Sequence, residues 1–144
     1  MQSFTSNLTP EAREMIAARG LGALADKMGI EMLELSAERS IATMPVEGNT
    51  QPFALLHGGA FVVLAETLGS FSANFYAYPL GKHAVGIEIN ASHSRSATSG
   101  HVTGVCTAIH LGQSLATHEI AITDEQGRRA STVRITNFLK TRSS

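Results

Sequence analysis

Between Gln51 and Ser70 the chain reads QPFALLHGGAFVVLAETLGS. One carboxylate, Glu66, follows the apolar run Ala60 to Ala65, and a hydroxyl comes four residues later at Ser70. At helical spacing Val62, Val63, Glu66 and Ser70 share one face, so the carboxylate lies on an apolar wall with a small hydroxyl one turn away. A carboxylate so placed can act as a general base or as a nucleophile. At the start of the segment Gly58 and Gly59 present backbone N–H groups with no side chain in the way. The first N–H groups of a helix lack internal partners and carry partial positive charge, which suits a developing oxyanion. His57 and Gln51 flank that step. Each feature also has a plainer reading: Glu66 facing solvent or pairing with a sheet arginine, Gly-Gly as a tight helix start, His57 as a cap, Gln51 as a loop amide.

Spacing adds a constraint. Gly58 and Glu66 lie about 12 Å apart along a helix axis. Both would have to come within about 3 Å of one reacting carbonyl. A glutamate side chain leans toward the helix N-terminus, yet it closes only part of that gap. Two antiparallel copies of the helix would set Gly58 of one beside Glu66 of the other. A working site of this kind therefore predicts a homodimer with composite sites.

Other chemistries fit less well. There are six histidines, but no H-E-x-x-H or H-x-H spacing, and His93, His101, His110 and His118 fall on separate predicted strands, so no metal site is expected. Gly112-Gln113-Ser114-Leu115-Ala116 lacks the second glycine of a nucleophile elbow. Cys106 is the single cysteine and lies in an apolar alternating segment, which predicts a reduced, buried thiol.

The elements that would hold these residues can be read from local signals. Thr9-Pro10-Glu11 is a helix start, and the helix should run to Ala18 and stop at Gly20. A second short helix covers about 22–28 and ends at Gly29. Two strand-like runs flank a Ser36-Ala37 turn, and 45–52 reads as loop. A helix is predicted from Gly58 to Tyr76, apolar and therefore buried on nearly every side, Glu66 included. After Gly81 the period becomes two, with Val85, Ile87 and Ile89 alternating and Ala116, His118, Ile120 and Ile122 on one face. Four strands with short turns predict an antiparallel meander. The closing KTRSS reads as a frayed tail. The expected class is α+β: an antiparallel five- to six-stranded sheet wrapped around one long central helix, the hotdog arrangement.

At 144 residues, 43% hydrophobic and 16% charged, the chain has the make-up of one globular domain that can bury a core without disulfides. The net charge of −1 and the lack of a basic stripe argue against nucleic acid as the main partner. No run approaches the ~18 apolar residues that span a bilayer, so no membrane partner is expected. MQSFTSNLTPEAREM has neither the basic nor the apolar region of a signal peptide, which leads to a cytoplasmic expectation.

The segment from Gln51 to Ser70 resembles the active-site helix of the hotdog-fold acyl-CoA thioesterases. The branch is that of the Arthrobacter-type 4-hydroxybenzoyl-CoA thioesterases, with the 1,4-dihydroxy-2-naphthoyl-CoA and enterobactin-pathway proofreading groups closer still. VGIEINASHSRSA, GVCTAIHLG and DEQGRR have near counterparts there, so the resemblance covers nearly everything from Gly29 onward. Residues 1–28, set apart as an N-terminal helical segment before a thioesterase domain over 29–144, match least. The resemblance implies a catalytic carboxylate at Glu66, an oxyanion N–H at Gly58 and an orienting amide at Gln51. It also implies a neighbouring histidine at His57 and a water-positioning hydroxyl at Ser70. It puts the CoA-contacting strand at Gly86 and at His93, Ser94, Arg95 and Ser96, with Arg95 as a phosphate partner, although Ser94 stands where the family often has a larger or apolar residue. A second nucleotide-contacting segment falls on His110, Leu111, Gly112, Gln113 and Ser114. The branch with an early aspartate and a glycine-His-Val-Asn-Asn motif is not matched. The family also implies a homotetramer of paired dimers, acyl-CoA as substrate, and no cofactor.

The function expected is hydrolysis of a CoA or carrier-protein thioester, with Glu66 attacking directly or activating water. Phe53, Phe61, Phe71 and Phe75 are read either as core or as lining for an aromatic or medium-chain acyl group. The alternatives are a hotdog dehydratase or hydratase pairing His57 with Glu66, and an acyl-CoA-binding protein without turnover.

Overall fold

The computed structural model describes residues 6–143. Helix α1 is Pro10–Arg19, with Thr9 Oγ1 accepting from the Ala12 N–H at 3.1 Å, and it stops at Gly20. Helix α2 is Ala23–Met28 and closes on Gly29 in the left-handed region, φ +75°. A side chain at Gly29 would also run into Pro45, 2.8 Å away, so this stop depends on glycine for conformation and space. Strands β1 (Glu31–Leu35) and β2 (Arg39–Pro45) form the expected hairpin, its turn locked where Ser36 Oγ accepts from the Arg39 N–H at 3.0 Å. Helix α3 spans Gly58–Ala77 and leads through a single 3-10 turn, Tyr78–Leu80, into β3, Lys82–His93. Strands β4 (His101–Leu111), β5 (Leu115–Thr123) and β6 (Arg129–Thr141) complete the chain.

All six strands lie in one antiparallel sheet, ordered β1-β2-β4-β5-β6-β3. The sheet packs against α3 through β1 to β6, which makes the helix the filling of a curled sheet. Leu64, Ala65 and Leu68 of α3 are fully buried against Met44, Val102, Ile120, Ile122 and Ile135. Ala12 of α1 and Ala25 of α2 belong to this same core, so residues 1–28 supply part of its packing from their described portion.

Four sequence expectations need correction. The strands do not form one meander of four: β3 lies at the far edge beside β6, while β2 takes the place next to β4. Alternation in the sequence carries no information about which neighbour a strand chooses, and in β3 it does not mark a buried face either: the strand has no buried residue, and Val85 and Ile87 are exposed. Second, α3 is not buried on nearly every side: Val62, Val63, Thr67 and Ser70 are half-buried and Glu66 is exposed. One sheet can cover one side of a helix, and this flank lies beyond its β3 edge. Third, His101 and His110 share one strand, at opposite ends of β4, and among the described residues no cluster suits a metal ion. Fourth, the C-terminus is tied down as far as Arg142, whose N–H donates to Gly81 O at 3.0 Å and whose guanidinium lies over the Tyr78 ring; Ser144 lies outside the described residues. Cys106 is fully buried and free, and burial pushes its thiol pKa up to about 11. No described helix is long and apolar enough to cross a membrane.

Candidate active site

The start of α3 is built by His57. Its backbone N–H donates to Asn49 O at 2.9 Å, and its ring Nδ1 accepts from the Gly59 N–H at 2.8 Å. The ring is thus an N-cap, and the imidazole takes the place usually held by a serine or aspartate oxygen. With the Gly59 N–H taken by the ring and the Ala60 N–H by His57 O, the Gly58 N–H is left without an acceptor among the described residues. Gln51 closes the preceding loop: its Oε1 accepts from the Phe53 N–H, and its backbone bonds Leu55 O and the Ala54 N–H. Ala54 takes φ +64° in that loop, and Phe53 stands 83% exposed, outside the core.

His93 reaches the same end of α3. Its ring stacks on Phe61 with centroids 5.1 Å apart, and Nδ1 meets Ser131 Oγ at 2.8 Å. A side chain on Gly58 would come within 3.2 Å of His93 Nε2. Within one chain, then, His93 borders the Gly58 N–H. Ser94 and Arg95 follow, with their N–H groups donating to Ala130 O, and Arg95 and Ser96 are exposed.

Glu66 sits two turns further along, on the open flank. It lines a cleft of about 360 Å³ with Ser70, Thr67, Val63, Phe71 and, from the N-terminal segment, Leu21 and Leu24. Ser70 and Glu66 therefore do share a lined face, as their spacing predicted. The carboxylate leans to the sheet edge, where a side chain on Gly86 would stand 3.3 Å from Glu66 Oε2 and 3.7 Å from Asn137 Oδ1. Gly86 thus leaves room for two polar groups. A bulge follows it, since the β3–β6 register shifts between Gly86 and Glu88.

The residues expected to contact CoA are not brought together in one chain. His93, Ser94, Arg95 and Ser96 gather at the N-terminal end of α3. His110, Leu111, Gly112, Gln113 and Ser114 gather at its C-terminal end, where Tyr76 Oη donates to Gly112 O at 3.0 Å and Lys82 Nζ donates to Gln113 O. A side chain at Gly112 would push the His110 ring aside and come within 3.2 Å of Leu115 O.

Two residues near the site escaped the sequence reading. Ser131 and Asn137 both lie in the inward row of β6, with Val133, Ile135 and Leu139 between and beyond them, and both are fully buried. Ser131 anchors His93. Neither amide atom of Asn137 has a hydrogen-bond partner in the protein. An unpaired buried amide costs about 1–3 kcal/mol. Alternation gave a signal for both, as polar residues on an apolar face.

A glutamate and a hydroxyl in an apolar cleft, on a helix whose first N–H is free, suit acyl transfer to water. The sequence pattern of the thioesterase superfamily matches residues 53–131, from the loop before α3 into β6. The chain belongs to that superfamily. It is 48% identical over 123 residues to the proofreading thioesterase EntH of Cronobacter turicensis, an alignment covering 85% of this chain and 89% of that protein. It is 44% identical over 127 residues to the 1,4-dihydroxy-2-naphthoyl-CoA hydrolase of Escherichia coli, covering 88% and 93%. A solved mutant thioesterase of Pseudomonas aeruginosa superposes with a TM-score of 0.83 at 35% identity, covering 96% of this chain and 99% of that one. The superfamily match and these relatives identify the chain as a thioester hydrolase with the hotdog fold.

Proposed function

We propose that this thioesterase hydrolyses acyl-CoA thioesters, with Glu66 as its catalytic carboxylate and a second copy of the chain completing each site. The observation that carries the reading is the cleft: Glu66, Ser70 and Thr67 line one part of it, and Leu21, Leu24, Val63 and Phe71 give it an apolar part. Such walls suit an aromatic or medium-length acyl group, and the relatives named for an aromatic CoA ester and for proofreading are consistent with CoA esters as substrates.

Strand β3 suggests how two chains meet. It pairs only with β6 among the described strands; the Ala84 N–H is taken by Asn74 Oδ1 at 2.9 Å, but no strand lies along its outer edge beyond that point, and Ile87 there is 59% exposed. A long open edge of this kind favours pairing with another strand. In an antiparallel pairing about a two-fold axis between Ile89 and Asn90, Gly86 of one chain faces the partner subunit's His93. Since Glu66 leans on Gly86 and Gly58 borders His93, the pairing brings the carboxylate of one chain toward the free N–H of the other. It also removes the difficulty of the ~12 Å between them on one helix.

In the mechanism, the Gly58 N–H polarises the thioester carbonyl with help from Gln51. Glu66 takes a proton from a water near Ser70 as the water oxygen bonds to the acyl carbon. The C–S bond breaks, the proton returns to the departing sulfur, and the products are a carboxylic acid and free CoA. Arg95, exposed beside the Gly58 end, is available to a CoA phosphate. The hydratase reading is disfavoured because His57 Nδ1 already accepts from Gly59. The test is thiol release from benzoyl-, octanoyl- and acetyl-CoA by the wild type and Glu66→Gln. The reading expects turnover of at least one ester and a kcat at least about 100-fold lower in the variant. Binding of CoA esters without thiol release would contradict it.

A further inference from the structure

Asn137 is the one inward residue of the row Val133, Ile135, Asn137, Leu139 that is neither apolar nor hydrogen-bonded. Its strand partners are Gly86 on β3 and Ala116 on β5, two of the smallest residues, and the Ile135 side chain closes the same spot, with Cδ1 3.9 Å from where a Gly86 side chain would begin. Its Oδ1 and Glu66 Oε2 both lie within 4 Å of the point where a Gly86 side chain would begin. Three independent features therefore converge on one spot: a glycine that leaves space, a carboxylate leaning into it from α3, and a buried amide with no other partner.

We propose that Asn137 is a positioning residue for hydrolysis, holding the attacking water against Glu66 over Gly86. The inference rests on Glu66 acting as a base and deepens that reading, because a residue that orients water has a role in general-base hydrolysis and none in direct attack by the carboxylate. Buried amides of this kind are commonly satisfied by ordered water. One O–H of the water donates to Glu66 and the other to Asn137 Oδ1, which turns the oxygen lone pairs toward the thioester carbon. As the O–C bond forms, the first proton moves to Glu66; the C–S bond breaks and that proton passes to the sulfur. The second O–H keeps its bond to Asn137 and leaves with the acid. An amide suits this role because it accepts without taking the proton.

A structural role and a positioning role predict opposite results. Leucine has nearly the shape of asparagine without its polar atoms, and replacing an unpaired buried amide with it tends to be neutral or stabilising. The experiment measures melting temperature, kcat and KM for thiol release in wild type, Asn137→Leu, Asn137→Thr and Gly86→Ala. The inference expects Asn137→Leu to melt no lower than wild type yet to lose about a hundredfold in kcat, with KM unchanged. Asn137→Thr, which restores a hydroxyl acceptor, should recover most of the rate. Gly86→Ala sets a methyl group between Glu66 and Asn137 from an exposed strand edge, and should also lower kcat. An unchanged kcat in Asn137→Leu overturns the inference, as does loss of rate only in proportion to loss of fold. If Asn137→Leu fails to fold, a wild-type kcat in Gly86→Ala overturns it. A wild type that releases no thiol brings down the hydrolytic reading itself, and this inference with it.

Discussion

The histidines divide sharply by what their nitrogens touch. His57 caps α3, His93 is held by Ser131 beside Gly58, and His118 is buried on β5 with Nε2 2.8 Å from Ala37 O and Nδ1 unpartnered. Burial lowers the His118 pKa below its ordinary 6.5, against smaller opposing effects from Ala37 O and the nearby Glu38. The unfolded chain then takes up a proton at higher pH than the folded one, so stability is full above about pH 6.5 and falls as pH drops below it. Replacing His118 with Gln should flatten that fall between about pH 7 and 5 in urea melts; an unchanged slope would assign it to other groups. At this scale the shared face of Glu66 and Ser70, the free Gly58 N–H and the His57 cap were legible because helical spacing and helix ends have local chemistry. The exposure of Glu66 was not, since it depends on where the sheet edge stops. Asn137 was visible as a polar break in an apolar row, but its meaning needed Gly86 and Glu66 brought beside it.

Among elements, both N-terminal helices, α3 and the β1–β2 hairpin follow from caps, turns and period, and their bounds agree with the sequence expectation to within a residue or two. Strand order did not follow, because β3 pairs with β6 through contacts some fifty residues apart. The N-terminal helical segment matched the family least, yet Leu21 and Leu24 line the cleft that holds Glu66. Leu24 is 58% exposed, so it can be changed without disturbing the core. Leu24→Ala should lower kcat/KM for benzoyl- or octanoyl-CoA by about tenfold while changing acetyl-CoA hydrolysis little. An equal effect on short and long esters would take α2 out of acyl selection.

For the molecule as a whole, the single chain holds the two proposed groups apart, and the proposed second copy would bring them together. Gly58 borders His93 and Glu66 borders Gly86, seven residues away on β3, roughly 20 Å of strand. The sequence raised the same difficulty from helix rise alone and reached the same remedy, a composite site. The most direct test mixes two inactive variants. Glu66→Gln lacks the carboxylate. Gly58→Pro lacks the N–H, at the first helical position, where proline is tolerated. Refolded together in equal amounts, half of the dimers pair one chain of each kind, and each such dimer holds one intact site. The account predicts recovery of about one quarter of the wild-type rate of thiol release. No recovery above the separate variants, with mixed dimers present, would contradict it and return both groups to a single chain.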